Sequence, residues 1–214
     1  MKRQTVEVKL RERILSGTLA PGDRLPEVQL AEELGTTRFA VRTALQALEA
    51  RKLVERIPNA GVVVSRPDYD RLQEIYDVLE LLEGLAARLA AQKSAPSDWA
   101  ALQALFADGG PLEEAAENGD IDAFLAGIDQ YRDTVIRLAD QDFLTEMLTG
   151  VRDQSHLLRR RILMTPGRMQ ESLAEHRQVI DALVCGDAEV AEQLKRHNMQ
   201  TARTRLSRYR EFLL

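Results

Sequence analysis

Apolar residues in this chain return every three or four positions through long stretches and cluster into β-rich runs only once, near residue 60. The pattern predicts a mainly α-helical protein with one small hairpin. Val6, Leu10 and Ile14 form a first helical stripe that ends at Ser16-Gly17, a C-terminal stop. The loop TLAPGDRLP, with two prolines and a glycine, then breaks the chain. Leu30, Ala31 and Leu34 mark a short helix, Gly35 supplies the backbone freedom for a tight turn, and Thr36 or Thr37 caps the helix that follows. Val41, Leu45 and Leu48 are its inward face. Leu53 to Ile57 and Gly61 to Ser65 read as strands joined through Pro58-Asn59-Ala60, a hairpin or wing.

After Arg66-Pro67 no run reads as a strand. Leu72, Ile75, Leu79, Leu82, Ala86 and Leu89 define an extended helix over residues 70 to 93, stopped by Ala95-Pro96. A helix from about Ser97 to Phe106 gives way at Gly109-Gly110-Pro111, and a short one runs to Asn118-Gly119. Asp120 caps the next, whose stripe is read as Ile121, Leu125, Ile128, Val135 and Leu138. Helices at about 142 to 163 and 168 to 185 are separated by Thr165-Pro166-Gly167, and the last begins at Asp187. The expected organisation is residues 1–66, a linker at 67–69, and a helical domain at 70–214.

The stretch LGTTRFAVRTALQALEARKLVE carries the first chemistry. Arg38 and Arg42, four residues apart, lie on one exposed face near a helix N-terminus, where the macrodipole also favours phosphate. In a helix-turn-helix this end enters the major groove. Arginine's planar fork pairs with O6 and N7 of guanine, whereas phosphate contacts from Thr37 and nearby N–H groups set register without reading sequence. The competing reading is a solvated face making surface ion pairs. A turn, a helix and a wing in this order weigh against it.

Charge divides the chain in the same place. Residues 1 to 66 hold 12 Lys and Arg against 8 Asp and Glu, and residues 67 to 214 hold 17 against 26, so attraction to nucleic acid is local to the N-terminal part. No apolar window approaches the roughly 18 residues of a membrane span, and MKRQTVEVKL lacks a signal-peptide core; a cytoplasmic, nucleoid-associated protein is expected. The single cysteine, Cys185, is expected to be a small packing residue. Zinc-finger spacing, a phosphate-binding glycine loop and a serine-nucleophile elbow are absent from the sequence.

The order ILSGTLAPGDRLPEVQLAEELGTTRFAVRTALQALEARKLVERIPNAGVVV resembles the winged helix-turn-helix of the GntR family of bacterial transcription regulators, across residues 5 to 66. The resemblance implies base and backbone contacts from Arg38 and Arg42, a phosphate contact from Thr37, and approach of the wing tip, Asn59 to Gly61, to the minor groove. The candidate DNA-binding set is Thr36, Thr37, Arg38, Arg42, Thr43, Asn59 and Gly61. Departures from the family pattern are Phe39 for Thr, Ala40 for Pro, Thr43 for Glu, and Ala60 where a basic residue is common.

The segments IYDVLELLEGLAARLAA, GDIDAFLAGIDQYRDTVIRLADQDFL and EHRQVIDALVCGDAEVAEQLKRHNM similarly resemble the FCD domain carried by one GntR subfamily, over about residues 69 to 205. That resemblance implies an antiparallel all-helical bundle that dimerises and encloses a small-molecule site, often built on a divalent metal held by an Asp and three His, with small organic acids as effectors. Aligned on GDIDAFL without gaps, Ile128 falls on the Asp ligand, Tyr131 on a Phe, Arg132 on the first His, His176 on the second and Asn198 on the third. Leu79 stands where a pocket Arg is common. Ile128 and Arg132 also lie nearer the centre of the apolar stripe than Asp129 and Asp133. A register shifted by one residue instead offers Asp129, Asp133, His176 and His197 as a zinc or nickel set.

In the first register Arg132 replaces the metal as the positive anchor, His176 and Asn198 orient the ligand, and Leu79 and Ile128 complete the effector site. The alternative is that Arg132 pairs with Asp129 or Glu175 and that His176 is a satisfied core histidine. His156 is expected to be a packed or surface residue, Arg159-Arg160-Arg161 a solvated basic face, and Trp99 core.

These readings converge on a ligand-responsive bacterial repressor that binds palindromic double-stranded operator DNA as a homodimer and responds to a small anionic metabolite. An alternative is a constitutive regulator whose effector pocket does not function. An enzyme is not expected: a metal-dependent hydrolase or lyase using His176, His197 and Asp129 would need an open metal position and a placed base, and no segment supplies both.

Overall fold

Helix α1 (Val6–Leu15) starts where the Thr5 side chain accepts a hydrogen bond from the Val8 N–H, and its stripe buries Leu10 and Ile14. Helices α2 (Glu27–Glu33) and α3 (Arg38–Ala50) are joined through Gly35, whose φ of 59° lies in the left-handed region that glycine adopts without strain. Of the two threonines considered as caps, Thr37 does the work: its Oγ1 accepts from the Ala40 N–H at 3.2 Å. Val41, Ala44, Leu45 and Leu48 of α3 meet Leu10, Ile14, Leu30 and Ala31 in a common core. Leu53, Val54, Val62 and Val64 close it from the wing side. Removing each of these larger side chains from water contributes about 1.5 to 3 kcal/mol before entropy is counted.

The wing is an antiparallel pair, β1 (Val54–Ile57) and β2 (Gly61–Val64), in a register that sets Val54 opposite Val64 and Ile57 opposite Gly61. The loop containing Pro21 and Pro26, read from sequence only as a breaker, supplies a third edge. Arg24 bridges Val63, the Gly22 N–H donates to the Val64 carbonyl, and the Leu25 N–H donates to the Val62 carbonyl, both at 2.8 Å. Three residues of extended loop satisfy the outer groups of β2 without any hydrophobic alternation to announce them.

The remaining elements are helical: α4 (Tyr69–Lys93), a single 3-10 turn (Pro96–Trp99), α5 (Ala100–Phe106), α6 (Pro111–Asn118), α7 (Ile121–Ala139), α8 (Asp142–Leu163), α9 (Arg168–Val184), α10 (Ala188–Arg208) and α11 (Arg210–Leu213). This computed structural model describes residues 5–58, 61–66 and 68–213. The chain divides into two compact units, residues 1–72 with 152–157 and residues 73–151 with 158–214. Among the described residues, no helix is long and apolar enough to cross a membrane.

Within the helical unit, α9 is the axial element, packed against α5, α6 and α10 through Leu173, Val179, Ile180 and Leu183. Helices α4 and α10 run antiparallel along a polar seam. Arg203 donates to Gln73, Arg196 and Gln200 donate to Glu80, and Arg88 pairs with Glu192. Trp99 is fully buried and its indole N–H donates to Ser94 Oγ at 2.9 Å.

Two sequence expectations are corrected here. The buried face of α7 is Phe124, Ile128, Tyr131, Val135 and Ala139, with Leu125 and Leu138 only half-buried. Two aromatic rings turn the helix relative to the aliphatic stripe, because each buries more area than the leucine it displaces. Cys185, expected to pack, is exposed at the C-cap of α9.

Candidate nucleic-acid interface and polar core of the helical unit

The outer face of α3 is built by exclusion. With Val41, Ala44, Leu45 and Leu48 turned into the core, Arg38, Phe39, Arg42 and Thr43 are left in solvent. Thr36 is half-buried and Thr37 exposed; Thr37 spends an acceptor lone pair on its cap and keeps its hydroxyl proton. Thr43 Oγ1 donates back to the Phe39 carbonyl at 3.0 Å.

Arg42 of this face is held by an ion pair. Its Nε donates to both carboxylate oxygens of Glu27 on α2, at 3.0 and 3.1 Å, and its Nη2 donates to Oε2 at 2.7 Å. The Arg42 hydrogen bonds hold the Glu27 carboxyl below its usual range; burial opposes them, and the charges of Arg42, Arg38 and Arg56 add to the lowering. Among the described residues, Arg42 alone touches this carboxylate, while Arg38 and Arg56 act on it through their charge. Gly61 is exposed at the start of β2, and Asn59 lies outside the described residues.

In the helical unit, Arg132 of α7, Arg159 of α8, Arg168 and His176 of α9, and Lys195 and Asn198 of α10 are all buried, as are Leu79 and Ile128. Arg159, expected on a solvated face, is only 9% exposed and donates to Asp129 Oδ1 at 2.7 Å. Arg168 donates to Glu171 and Glu175 at 3.0 and 2.8 Å, Asn198 donates to Glu175 at 2.5 Å, and Lys195 donates to Asn198 Oδ1 at 3.0 Å. The chain Lys195, Asn198, Glu175, Arg168 is thus one continuous network. The charges of Arg132, Arg168 and Arg159 also reach the buried Tyr76 hydroxyl, so these cations share one region.

His176 sits in this core with one ring nitrogen satisfied and the other not. Its Nδ1 lies 2.7 Å from the Ser172 carbonyl, which can only accept, so Nδ1 carries the proton and Nε2 presents a lone pair. Nε2 is buried with no hydrogen-bond partner among the described residues. Burial pushes the imidazole pKa well below its ordinary value, with the charge of Lys195 the next cause and the Ser172 bond opposing. The ring is packed edge-on to Tyr131 at 4.8 Å between centroids and against Phe106 at 5.8 Å. The Lys195 ammonium lies 5.1 Å from the Tyr131 centroid.

The shifted register does not assemble. Asp133 and His197 are exposed while His176 is buried, and Asp129 is engaged by Arg159. Among the described residues, no group of three or more His, Cys, Asp or Glu side chains is placed to hold a metal ion. A divalent cation does not fit a site whose buried groups are chiefly guanidinium and ammonium.

Sequence reasoning missed Glu27, Arg168, Lys195 and Glu83, the last only 1% exposed. Lys195 stands three residues before Asn198 and Arg168 lies two turns before Glu175, helical spacings that carried a signal. Glu27 carried none, because its partner is fifteen residues away across a turn.

Two family profiles match the chain: "Bacterial regulatory proteins, gntR family" over residues 2–64 and "FCD domain" over residues 74–201. Among curated proteins, the galactonate operon transcriptional repressor of Escherichia coli (strain K12) is 26% identical over 213 residues, 90% of this chain and 91% of that protein. The probable D-xylose utilization operon transcriptional repressor of Paenarthrobacter nicotinovorans is 28% identical over 208 residues, 93% and 88% of the two chains. The solved structure of E. coli McbR/YncC is similar with a TM-score of 0.82 and 26% identity, covering 96% of each chain.

Proposed function

Since this chain belongs to the GntR family of bacterial regulatory proteins, in the branch that carries an FCD domain, and is a transcriptional regulator rather than an enzyme, we propose that it is a homodimeric repressor. On this reading it holds a palindromic operator and is released or rearranged by a small anionic metabolite. The DNA-reading set is Arg38 and Arg42 with Thr36, Thr37, Thr43, Asn59 and Gly61, and α3 is the helix in the major groove. Val78 and Leu81, one turn apart on α4 and 42% and 57% exposed, offer apolar surface for a second copy. A dimer places two recognition helices on two half-sites, which is what a palindrome matches. A DNA-binding regulator of this kind works beside the chromosome, in the cytoplasm.

The observation that carries the effector reading is the charge balance of the helical unit. Among its described residues Arg132, Arg159, Arg168 and Lys195 are buried together with Glu83, while Asp129 pairs with Arg159 and Glu171 and Glu175 pair with Arg168. Four cations gathered in one buried region favour an anion among them. Arg132 is the anchor, His176 Nε2 accepts a hydrogen bond from a ligand hydroxyl or amide, Asn198 orients it, and Leu79 and Ile128 supply apolar walls. Coupling of about 1 to 3 kcal/mol between effector and operator suffices to switch occupancy.

Thermal-shift screening of carboxylate and phosphate metabolites tests this reading. A stabilising anion should lose its effect in Arg132→Ala and should release the protein from its own upstream DNA. Stabilisation that survives Arg132→Ala unchanged would remove that residue as anchor. Operator binding indifferent to every anion would favour a constitutive regulator.

A further inference from the structure

The outer face of α3 carries one large apolar side chain that the core does not employ. Phe39 is 79% exposed, the highest value among the described large apolar residues. It is the second residue of α3, and helical spacing sets it beside Arg42 and Thr43, three and four positions on. The backbone there is fixed by the Thr37 cap on one side and the Thr43 bond to the Phe39 carbonyl on the other. A rigid helix thus presents a phenyl ring to solvent between two guanidiniums.

The charges around the ring select its partner. Arg38 precedes it, Arg42 lies one turn on, and the helix N-terminus adds its own positive end. A hydrophobic protein surface seated on Phe39 would strip water from Arg38 and the helix N-terminus without compensating them, whereas a polyanion compensates both; Arg42 already has Glu27. Within double-stranded DNA, the apolar group displayed on the major-groove edge of a base pair is the 5-methyl of thymine.

We propose that Phe39 is a specificity-determining residue, packing on the 5-methyl group of a thymine next to the bases reached by Arg38 and Arg42. The inference rests on α3 being the groove-reading helix. The ring offers no hydrogen bond, so discrimination comes from the methyl group alone. Thymine is accepted, and a pyrimidine lacking the methyl is penalised at that one position of each half-site.

The test uses full-length protein and its operator, with the thymines of one half-site replaced singly by deoxyuridine, which differs only by that methyl group. Affinities are read by fluorescence anisotropy at fixed salt for the wild type, Phe39→Ala and Phe39→Thr. One substitution should weaken wild-type binding by about fourfold, the worth of one buried methyl-sized group, and Phe39→Ala should bind the thymine and uracil operators equally. Phe39→Thr, whose single methyl is a smaller apolar group than the phenyl ring, should show an intermediate penalty. Because the ring is exposed, thermal melts of all three proteins should coincide. Specific binding with no uracil penalty at any position, or a penalty that persists in Phe39→Ala, would overturn the role of Phe39 alone. Failure of the wild type to distinguish its operator from scrambled DNA would overturn the groove-reading helix as well.

Discussion

Glu27 on α2 grips the Arg42 guanidinium through three hydrogen bonds of 2.7 to 3.1 Å, tying the two helices of the helix-turn-helix together at their outer end. The Arg42 side chain is 53% exposed and the Glu27 side chain 20%, so water still screens the pair and its contribution to stability is slight. Its consequence lies in preorganisation. A fork already held by Nε and Nη2 has fewer rotamers to lose when it meets a base. Glu27→Ala should therefore leave the melting temperature nearly unchanged while lowering the ratio of operator to scrambled-DNA affinity. Non-specific affinity itself should rise, because one negative charge has left the interface. Anisotropy titrations against both DNAs at two salt concentrations measure the two effects separately; a ratio that is maintained or increased would show that the grip is idle.

Arg42→Ala removes the fork itself. A bidentate arginine contact discriminates among bases by roughly 5- to 150-fold. The variant should lose specific retention in a gel shift of the upstream intergenic DNA, while its salt-sensitive background binding persists. Arg38→Lys would separate the functions further: a lysine keeps the charge that phosphate requires but not the fork that guanine requires. Retained specificity in Arg42→Ala would move base reading elsewhere on α3.

The buried imidazole of His176 makes a prediction about pH. In the folded chain its pKa is well below the ordinary value, so it stays neutral, whereas the unfolded chain takes up a proton near pH 6.5. The unfolded state thus binds more protons as pH falls, and stability present above about pH 6.5 is lost below it, at up to about 1.4 kcal/mol per pH unit for this one group. The charges facing the ring, Lys195 of α10, Arg168 of α9 and Arg132 of α7, are all positive and keep their sign through the window. Denaturant melts of wild type and His176→Gln between pH 7 and pH 5 isolate the term from the carboxylates common to both. The wild type should show the steeper acid destabilisation, and parallel curves would mean that the ring protonates in place.

How much of this was legible in the sequence depended on whether the signal was local. The turn at Gly35, the capping hydroxyl and the α3 core stripe were readable because each is decided within one or two helical turns. The α7 face was misread because counting aliphatic residues ignored the larger area of Phe124 and Tyr131, which rotate the helix toward their own burial. The third edge of the wing at Arg24, the Glu27 grip and the burial of Arg159 were hidden, since each is settled by a partner at least fifteen residues away. The buried placement of Arg132 and Asn198, against the exposed Asp133 and His197, follows the helical periodicity that sequence displays.

The contact between α6 and α7 is set by an absent side chain. A Cβ added at Gly127 would stand 2.5 Å from Leu112 Cδ2 and 2.9 Å from Cγ, and Leu112 is itself only 1% exposed, so it has nowhere to retreat. Gly127→Ala should gain up to about 1 kcal/mol in helix propensity yet lose about 1 to 3 kcal/mol to overpacking, for a net destabilisation. Leu112→Ala alone should cost about 2 to 5 kcal/mol through the cavity it leaves. Combined, the two changes occupy each other's space, and the double variant should be more stable than the sum of the single losses predicts. Denaturant unfolding of the four proteins closes the cycle. Strict additivity would show that the helices relax apart instead of meeting at this glycine.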